Sequence, residues 1–165
     1  MSLTGKSSQV SGAPIGNDGF WPDLEPGDLL EGYRLTADIP TAHIELALSL
    51  SMLRVNDLMA GSTALLQAAG HASAADYATA YPQPIGDTDG LLLRYQHAVF
   101  SRARAQLTRR LAPQGVGKQE HDSDALLDGE QYWLDQSTAA IADINGRLDP
   151  DASTSRNHGV YVSSL

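Results

Sequence analysis

The chain has 165 residues, with 20 Asp and Glu against 11 Lys and Arg for a net charge of −9, and no Cys. That length fits one domain of ordinary size, alone or with long arms, and the acidic balance repels nucleic acid in bulk and argues against a free-standing DNA-binding domain. The lack of Cys removes disulfides, thiolate metal sites and cysteine nucleophiles, while no apolar run approaches the roughly 18 residues of a membrane span.

Leu, Ile, Val and Phe number 36, a little above one residue in five, so a core is expected but a small one. Residues 1–19 hold only Leu3, Val10 and Ile15 of that set, diluted by Ser, Gly, Pro and Asn. They cannot bury enough surface to offset their ordering entropy and read as a free arm. Lys6 has no apolar segment after it, so a secretory leader is not expected and the chain reads as a soluble protein. From Phe20 to Pro40, three prolines interrupt any long helix. Trp21, Leu24, Leu29, Leu30, Tyr33, Leu35 and Ile39 are therefore expected on an extended segment with at most a short helical turn, laid across something apolar.

The first strong helical period follows Pro40, with Thr41 as N-cap and Glu45 in the first turns. At about 100° per residue, Ile44, Leu48, Met52, Val55 and Met59 fall on one side and Leu46, Leu50 and Leu53 on the other. A surface helix of a small monomer needs one apolar stripe, so two stripes imply burial from both directions. Gly61 is placed to bend or end this helix. An Ala-rich piece from Thr63 to Ala69 stops at Gly70, a suitable residue just past a helix end, and residues 71–88, with Pro82, Pro84 and Gly86, read as a long loop.

A second helix is expected from Asp87 or Asp89 to about Ala112, before Pro113. Leu92, Val99, Phe100, Ala103, Leu107 and Leu111 form its core stripe. Between Gly90 and Ala112 stand five Arg and no acid, and Arg94, Arg102 and Arg109 are placed on the face away from that stripe. A third helix is expected from about Asp124 to Arg147, with Leu126, Trp133, Ala140, Ile141, Ile144 and Leu148 on one face. Gln119 to Gly146 carries seven acids and no Lys or Arg. After Pro150 the chain turns polar until Val160-Tyr161-Val162, a short β-prone run. The predicted fold is all-α: a small bundle of three main helices plus a short extra helix over residues 20–149, an arm at 1–19 and a tail at 150–165 with a short strand.

Chemical motifs fail on spacing. Gly115-Val116-Gly117-Lys118-Gln119 invites comparison with a phosphate-binding loop, but Ala112 stands where the first Gly is needed and Gln119 replaces the Ser or Thr. Asp87, Asp89 and Gly90 imitate the start of a calcium loop, yet Ala98 stands where the bidentate Glu is required. The histidines at 43, 71, 97, 121 and 158 form no pair at zinc-binding spacing. Glu120, His121, Asp122 and Asp124 read as a solvated acidic turn, and no Gly-x-Ser-x-Gly elbow occurs. No catalytic, cofactor or metal constellation is expected.

Contact carries more information. Leu46, Leu50 and Leu53 meet either the N-terminal segment or the 63–69 piece within the subunit, or another subunit. The Arg face has no acid on its own helix, so its neutralisation comes from elsewhere, and the acidic third helix offers it within the subunit or in a neighbour. Repeated pairing of positive and negative faces would be head-to-tail and ring-forming. Trp21 and Trp133 read as core anchors among apolar neighbours.

In chain order, Phe20-Trp21-Pro22-Asp23, the step Arg34-Leu35, Val55-Asn56, Arg94-Tyr95 with Ala98-Val99, and Trp133 followed by Ala140-Ile141-x-Asp143-Ile144-x-Gly146-Arg147 resemble the head completion/stabilisation proteins, the GPL type, of contractile-tailed temperate bacteriophages. The resemblance runs from about Phe20 to Leu148; the loop Pro113 to Gly117 and the tail after Asp149 depart from the family's pattern. It implies a structural virion protein of the neck, without catalysis or cofactor, similar to the helical head-to-tail connectors that form a ring, expected to be twelve-fold, beneath the portal after DNA packaging. The implied partners are further copies of the chain, the portal protein and a tail or tail-completion protein, with no membrane. Packaged DNA would meet either an acidic lumen that discourages adhesion or the Arg face as a phosphate contact. The subunit and portal contacts put forward are Trp21, Leu46, Leu50, Leu53, Arg94, Arg102, Arg109, Val160, Tyr161 and Val162. The rival reading is a helical adaptor or DNA-binding regulatory protein that uses the Arg-rich face of the second helix.

Overall fold

The protein was analysed as a computed structural model that describes residues 13–33, 35, 39–111 and 120–148, without the side chains of 109–111 and 120–128. The elements are α1 (Pro26–Gly32), α2 (Thr41–Leu58), α3 (Ala60–Ala68), α4 (Ala74–Ala80), β1 (Pro84–Ile85), β2 (Thr88–Asp89), α5 (Gly90–Leu111) and α6 (Glu120–Leu148). The fold is all-α apart from the two-residue strands β1 and β2, which pair antiparallel.

The hub is α5, flanked by α2 and α6. Arg94 near its start meets Asp143, and Arg104 further on lies over Trp133, so α5 and α6 run antiparallel. The inner stripe of α2 is buried as read, with Ile44, Leu48, Val55 and Met59 each at 0% exposure. On α5, Val99, Phe100, Ala103 and Leu107 are buried, while Leu92 is only half-buried because Leu91 and Tyr95 take the inward row at its start. Ala140, Ile141 and Ile144 bring α6 into the same core, with Leu148 packed at its edge.

Several boundaries differ from the sequence reading. Pro26 opens two full turns of helix rather than interrupting one, because the first helical position wants neither an N–H nor a free φ. Thr41 is the first helical residue and not the cap; Pro40 precedes it, and its carbonyl accepts from the His43 amide at 2.9 Å. The break in the long helix falls at the buried Met59, with φ −106° and ψ 5°, and Gly61 lies inside α3. α6 begins at Glu120, a turn earlier than expected.

Gly70 ends α3 as expected. Its φ is 94°, its N–H reaches the Gln67 carbonyl at 3.0 Å and the His71 N–H reaches Leu66 at 3.1 Å, the double bond of a Schellman end. The stretch 71–88 is not a plain loop. Ser73 Oγ caps α4 by accepting the Asp76 N–H at 3.1 Å, and Asp76 reaches back to the Ala72 N–H at 3.2 Å. Gly86, at φ 59°, turns the hairpin that follows. Seven residues give barely two turns of periodicity, too few to read as a helix from the apolar pattern.

Candidate functional site

The residues preceding α1 do not end in a free arm at 19. Ile15 and Leu24 exchange backbone hydrogen bonds of 2.9 and 3.2 Å. Asp18 Oδ1 accepts the Phe20 and Trp21 amides, both at 3.0 Å. This Asx turn drives Trp21 into the body, where it is 2% exposed and stacks on Tyr95 at 4.5 Å with the rings 7° from parallel. The Trp21 indole N–H donates to Thr63 Oγ1 at 3.1 Å.

A polar clasp completes the junction. The Tyr95 hydroxyl donates to Asn56 Oδ1 at 2.7 Å and accepts from Asn17 Nδ2 at 2.7 Å. Asn56 Nδ2 donates in turn to Asn17 Oδ1 at 2.8 Å and to Asp18 Oδ2 at 3.0 Å. Burial pushes the Tyr95 phenol well above its ordinary range, against the opposing hydrogen bond from Asn17. Trp21, Asn56 and Tyr95, three residues that carry the resemblance, thus touch or share bonds at one point. The signal for Asn17 and Asp18 in the sequence is modest: an Asn-Asp pair just ahead of two aromatics.

The second stripe of α2 faces outward. Leu46, Leu50 and Leu53 are 46%, 41% and 63% exposed, so neither the lead-in nor α3 covers them. Leu58 at the end of α2 and Leu65 on α3 are exposed as well. Leu46, Leu50 and Leu53 thus form one exposed apolar row along α2. Trp21, named with them as a contact, belongs instead to the core, because its ring is enclosed by Tyr95 and Phe20.

The arginines of α5 divide between two neighbours. Arg94 Nη1 donates to the Gly90 carbonyl at 2.8 Å and lies 3.3 Å from Gln83 Oε1, with Nε 3.9 Å from Asp143 of α6. The acidic third helix therefore answers this arginine inside the subunit. Arg104 lies 5.8 Å over the Trp133 ring. Arg102 turns the other way, toward Arg54 of α2. Burial, and then the charge of Arg54, lower its guanidinium below the usual arginine range. Arg102 Nε is buried without a hydrogen-bond partner among the described residues. Sequence reading missed Arg54, although it is the sole Lys or Arg of α2 and stands in the row Leu50, Arg54, Leu58. The Arg109 side chain and Val160, Tyr161 and Val162 lie outside the described residues.

A groove of about 500 Å³ opens between α1, the hairpin and α5, lined chiefly by Tyr33, Ile85, Leu93, His97 and Phe100, with Asp28 and Arg94 at its rim. The Tyr33 hydroxyl and His97 Nδ1 are 2.6 Å apart, and burial pushes the phenol up to about 12. No Ser, Cys or Lys nucleophile lines the groove. Among the described residues no group of three or more His, Asp or Glu could hold a metal ion, and no helix is long and apolar enough to cross a membrane.

The described residues form an all-α body locked by a polar clasp, with a row of leucines turned outward, and so place the protein in the class of small helical domains. The family model of the phage head completion protein (GPL) matches residues 15–150, from the first residue of the Ile15–Leu24 bridge to just past α6. The chain belongs to that family, which is a family of structural phage proteins and not of enzymes. Its role is structural, in the phage head; its location is the virion, and its partners are other head and tail proteins. No curated protein and no solved structure matches the chain.

Proposed function

We propose that this protein assembles as a ring, of about twelve copies by analogy with helical connectors, beneath the portal at the capsid vertex. There it completes and stabilises the DNA-filled head and offers a platform to the tail. The observation that carries this reading is the outward stripe Leu46, Leu50 and Leu53 on a helix whose opposite face is already in the core. Removing such a surface from water upon assembly is favourable at about 25 cal/mol per Å² before the costs of association. The reading as a DNA-binding regulator gains less support, since Arg94 is engaged inside the subunit and the chain carries a charge of −9.

Electron microscopy of purified virions tests the proposal. A ring of this chain between portal and tail is the expected result, and a neck without density for it would overturn the reading. Leu50→Asp is expected to leave the isolated subunit folded and to block assembly on particles.

A further inference from the structure

Two arginines from different helices stand at the same level of the α2–α5 packing, beside the exposed leucines of α2. Arg54 lies one turn from Ser51 on α2 and Arg102 one turn from Gln106 on α5, and the 3.1 Å hydrogen bond from Gln106 Nε2 to Ser51 Oγ brings those turns together. The Arg54 charge acts on Arg102, and neither arginine has a hydrogen bond or ion pair among the described residues. Like charges brought together in a partly buried place cost free energy unless an anion lies between them, and a buried donor without an acceptor is itself a rarity that calls for a partner. Leu50 and Leu58 stand one turn before and one turn after Arg54, both about 40% exposed, so apolar side chains frame the cationic pair.

We propose that Arg54 and Arg102 form a receptor for a carboxylate of a second copy of this chain, and that the carboxylate is Asp135 on the outer face of α6. This inference rests on the ring reading above and names its subunit contact. The apolar frame favours a side-chain carboxylate set among small apolar groups over a DNA phosphate, which keeps a hydrated polar surround. The outer face of α6 has that composition. Asp135 is exposed and, among the described residues, bonded only to Gln131 of its own helix, at 2.7 Å. Ala139 and Ala142, one and two turns further on, are exposed and leave a shallow floor for leucine side chains. From Glu120 to Gly146 the helix holds seven acids and no Lys or Arg, and Arg147 in its last turn stands three turns beyond Asp135.

The topology explains why the two surfaces do not meet within one subunit. α5 lies between α2 and α6, and each flanking helix buries its inner face toward α5. The cationic pair and Asp135 therefore belong to opposite flanks. A contact between opposite flanks of identical chains is heterologous and propagates, closing into a ring when the rotation between copies permits. Charge pairing of this kind fixes register, while the leucines supply the buried area.

The test uses phage particles that lack the chain and are supplied with variants of it. Arg54→Glu and Asp135→Arg singly are each expected to reduce the copies retained per particle by about tenfold, and the double variant to recover most of that loss. Unchanged unfolding midpoints of the purified single variants, both at exposed positions, exclude misfolding as the cause. Retention of Arg54→Glu at the wild-type level, or a double variant no better than the singles, would overturn the inference. Because the chain has no Cys, a Leu50→Cys, Ala142→Cys variant treated with a bismaleimide in particles gives a direct reading. A ladder of multiples of the chain supports the contact, and an adduct with a different virion protein overturns it while leaving the head-completion role in place. Absence of the wild-type chain from particles defeats the ring reading itself. Salt-sensitive duplex binding lost in Arg54→Glu would assign the pair to phosphate and so overturn the carboxylate.

Discussion

The Tyr95 hydroxyl donates to Asn56 Oδ1 at 2.7 Å, and through that bond α5 is tied to α2 at the point where the N-terminal lead-in arrives. Asn17 completes the arrangement by donating to the same hydroxyl and accepting from the same amide. Three separate stretches of chain therefore depend on one phenol, and Trp21 stacked on its ring closes the apolar side. Such a network is stabilising only when fully satisfied, since a polar atom left buried without a partner costs more than the bond contributed.

Tyr95→Phe keeps the stack and removes the hydroxyl, leaving Asn17 Nδ2 and Asn56 Oδ1 short of a partner. The expected loss is about 1–3 kcal/mol, read as a lower urea midpoint with an unchanged slope. A loss near zero would mean that water replaces the hydroxyl without cost.

The two faces of α2 are expected to respond in opposite ways. Leu48 is fully enclosed, and Leu48→Ala should cost about 2–5 kcal/mol by opening a cavity. Leu53 is 63% exposed, and Leu53→Asp should change stability by no more than about 0.5 kcal/mol while lowering uptake into particles. Thermal unfolding with the protein composition of purified particles checks both. A Leu53→Asp chain that unfolds would assign the outer stripe to the subunit core.

Alkaline pH should unfold the protein through its buried phenols. The Tyr33 phenol is raised from 10.0 to about 12 by burial, and that of Tyr95 is raised further by the same cause. The unfolded chain releases the Tyr33 proton near 10 while the folded chain still holds it, so stability is intact below pH 10 and declines as pH rises from 10 toward 12. Urea midpoints measured across that window should fall, and Tyr33→Phe should make the fall shallower.

The ends of the short helices give a local test. Gly70 adopts φ 94° at the end of α3, and Gly70→Ala forces a side chain into the left-handed region at a cost of about 1–2 kcal/mol. Ser73→Ala removes the cap of α4 and should cost about 1 kcal/mol. Differential scanning calorimetry would show each as a drop of a few degrees in Tm.

How much was legible from residues alone depends on the range of the interaction. The inner and outer stripes of α2 follow from 3.6-residue spacing, as does the inward row of α6 at Ala140, Ile141 and Ile144. Gly70 is readable because its role is set within five residues. By contrast α4 depends on a Ser73 cap rather than on periodicity, and the packing of residues 15–19 depends on Asn56 and Tyr95, about 40 and 80 residues further along. Arg94 and Arg102 look alike on a helical wheel, yet one is bound to Gln83 and lies near Asp143 and the other faces Arg54.

The sequence by itself determined that the protein is helical, acidic and apolar on two sides of its first long helix, because those properties are sums over near neighbours and survive any arrangement of the helices. Only the tertiary structure decided which apolar side stays outside, which arginine keeps a partner and where the lead-in is anchored. Those outcomes require residues distant in the chain to arrive at the same place, and no local pattern records which surface will still face water after they do.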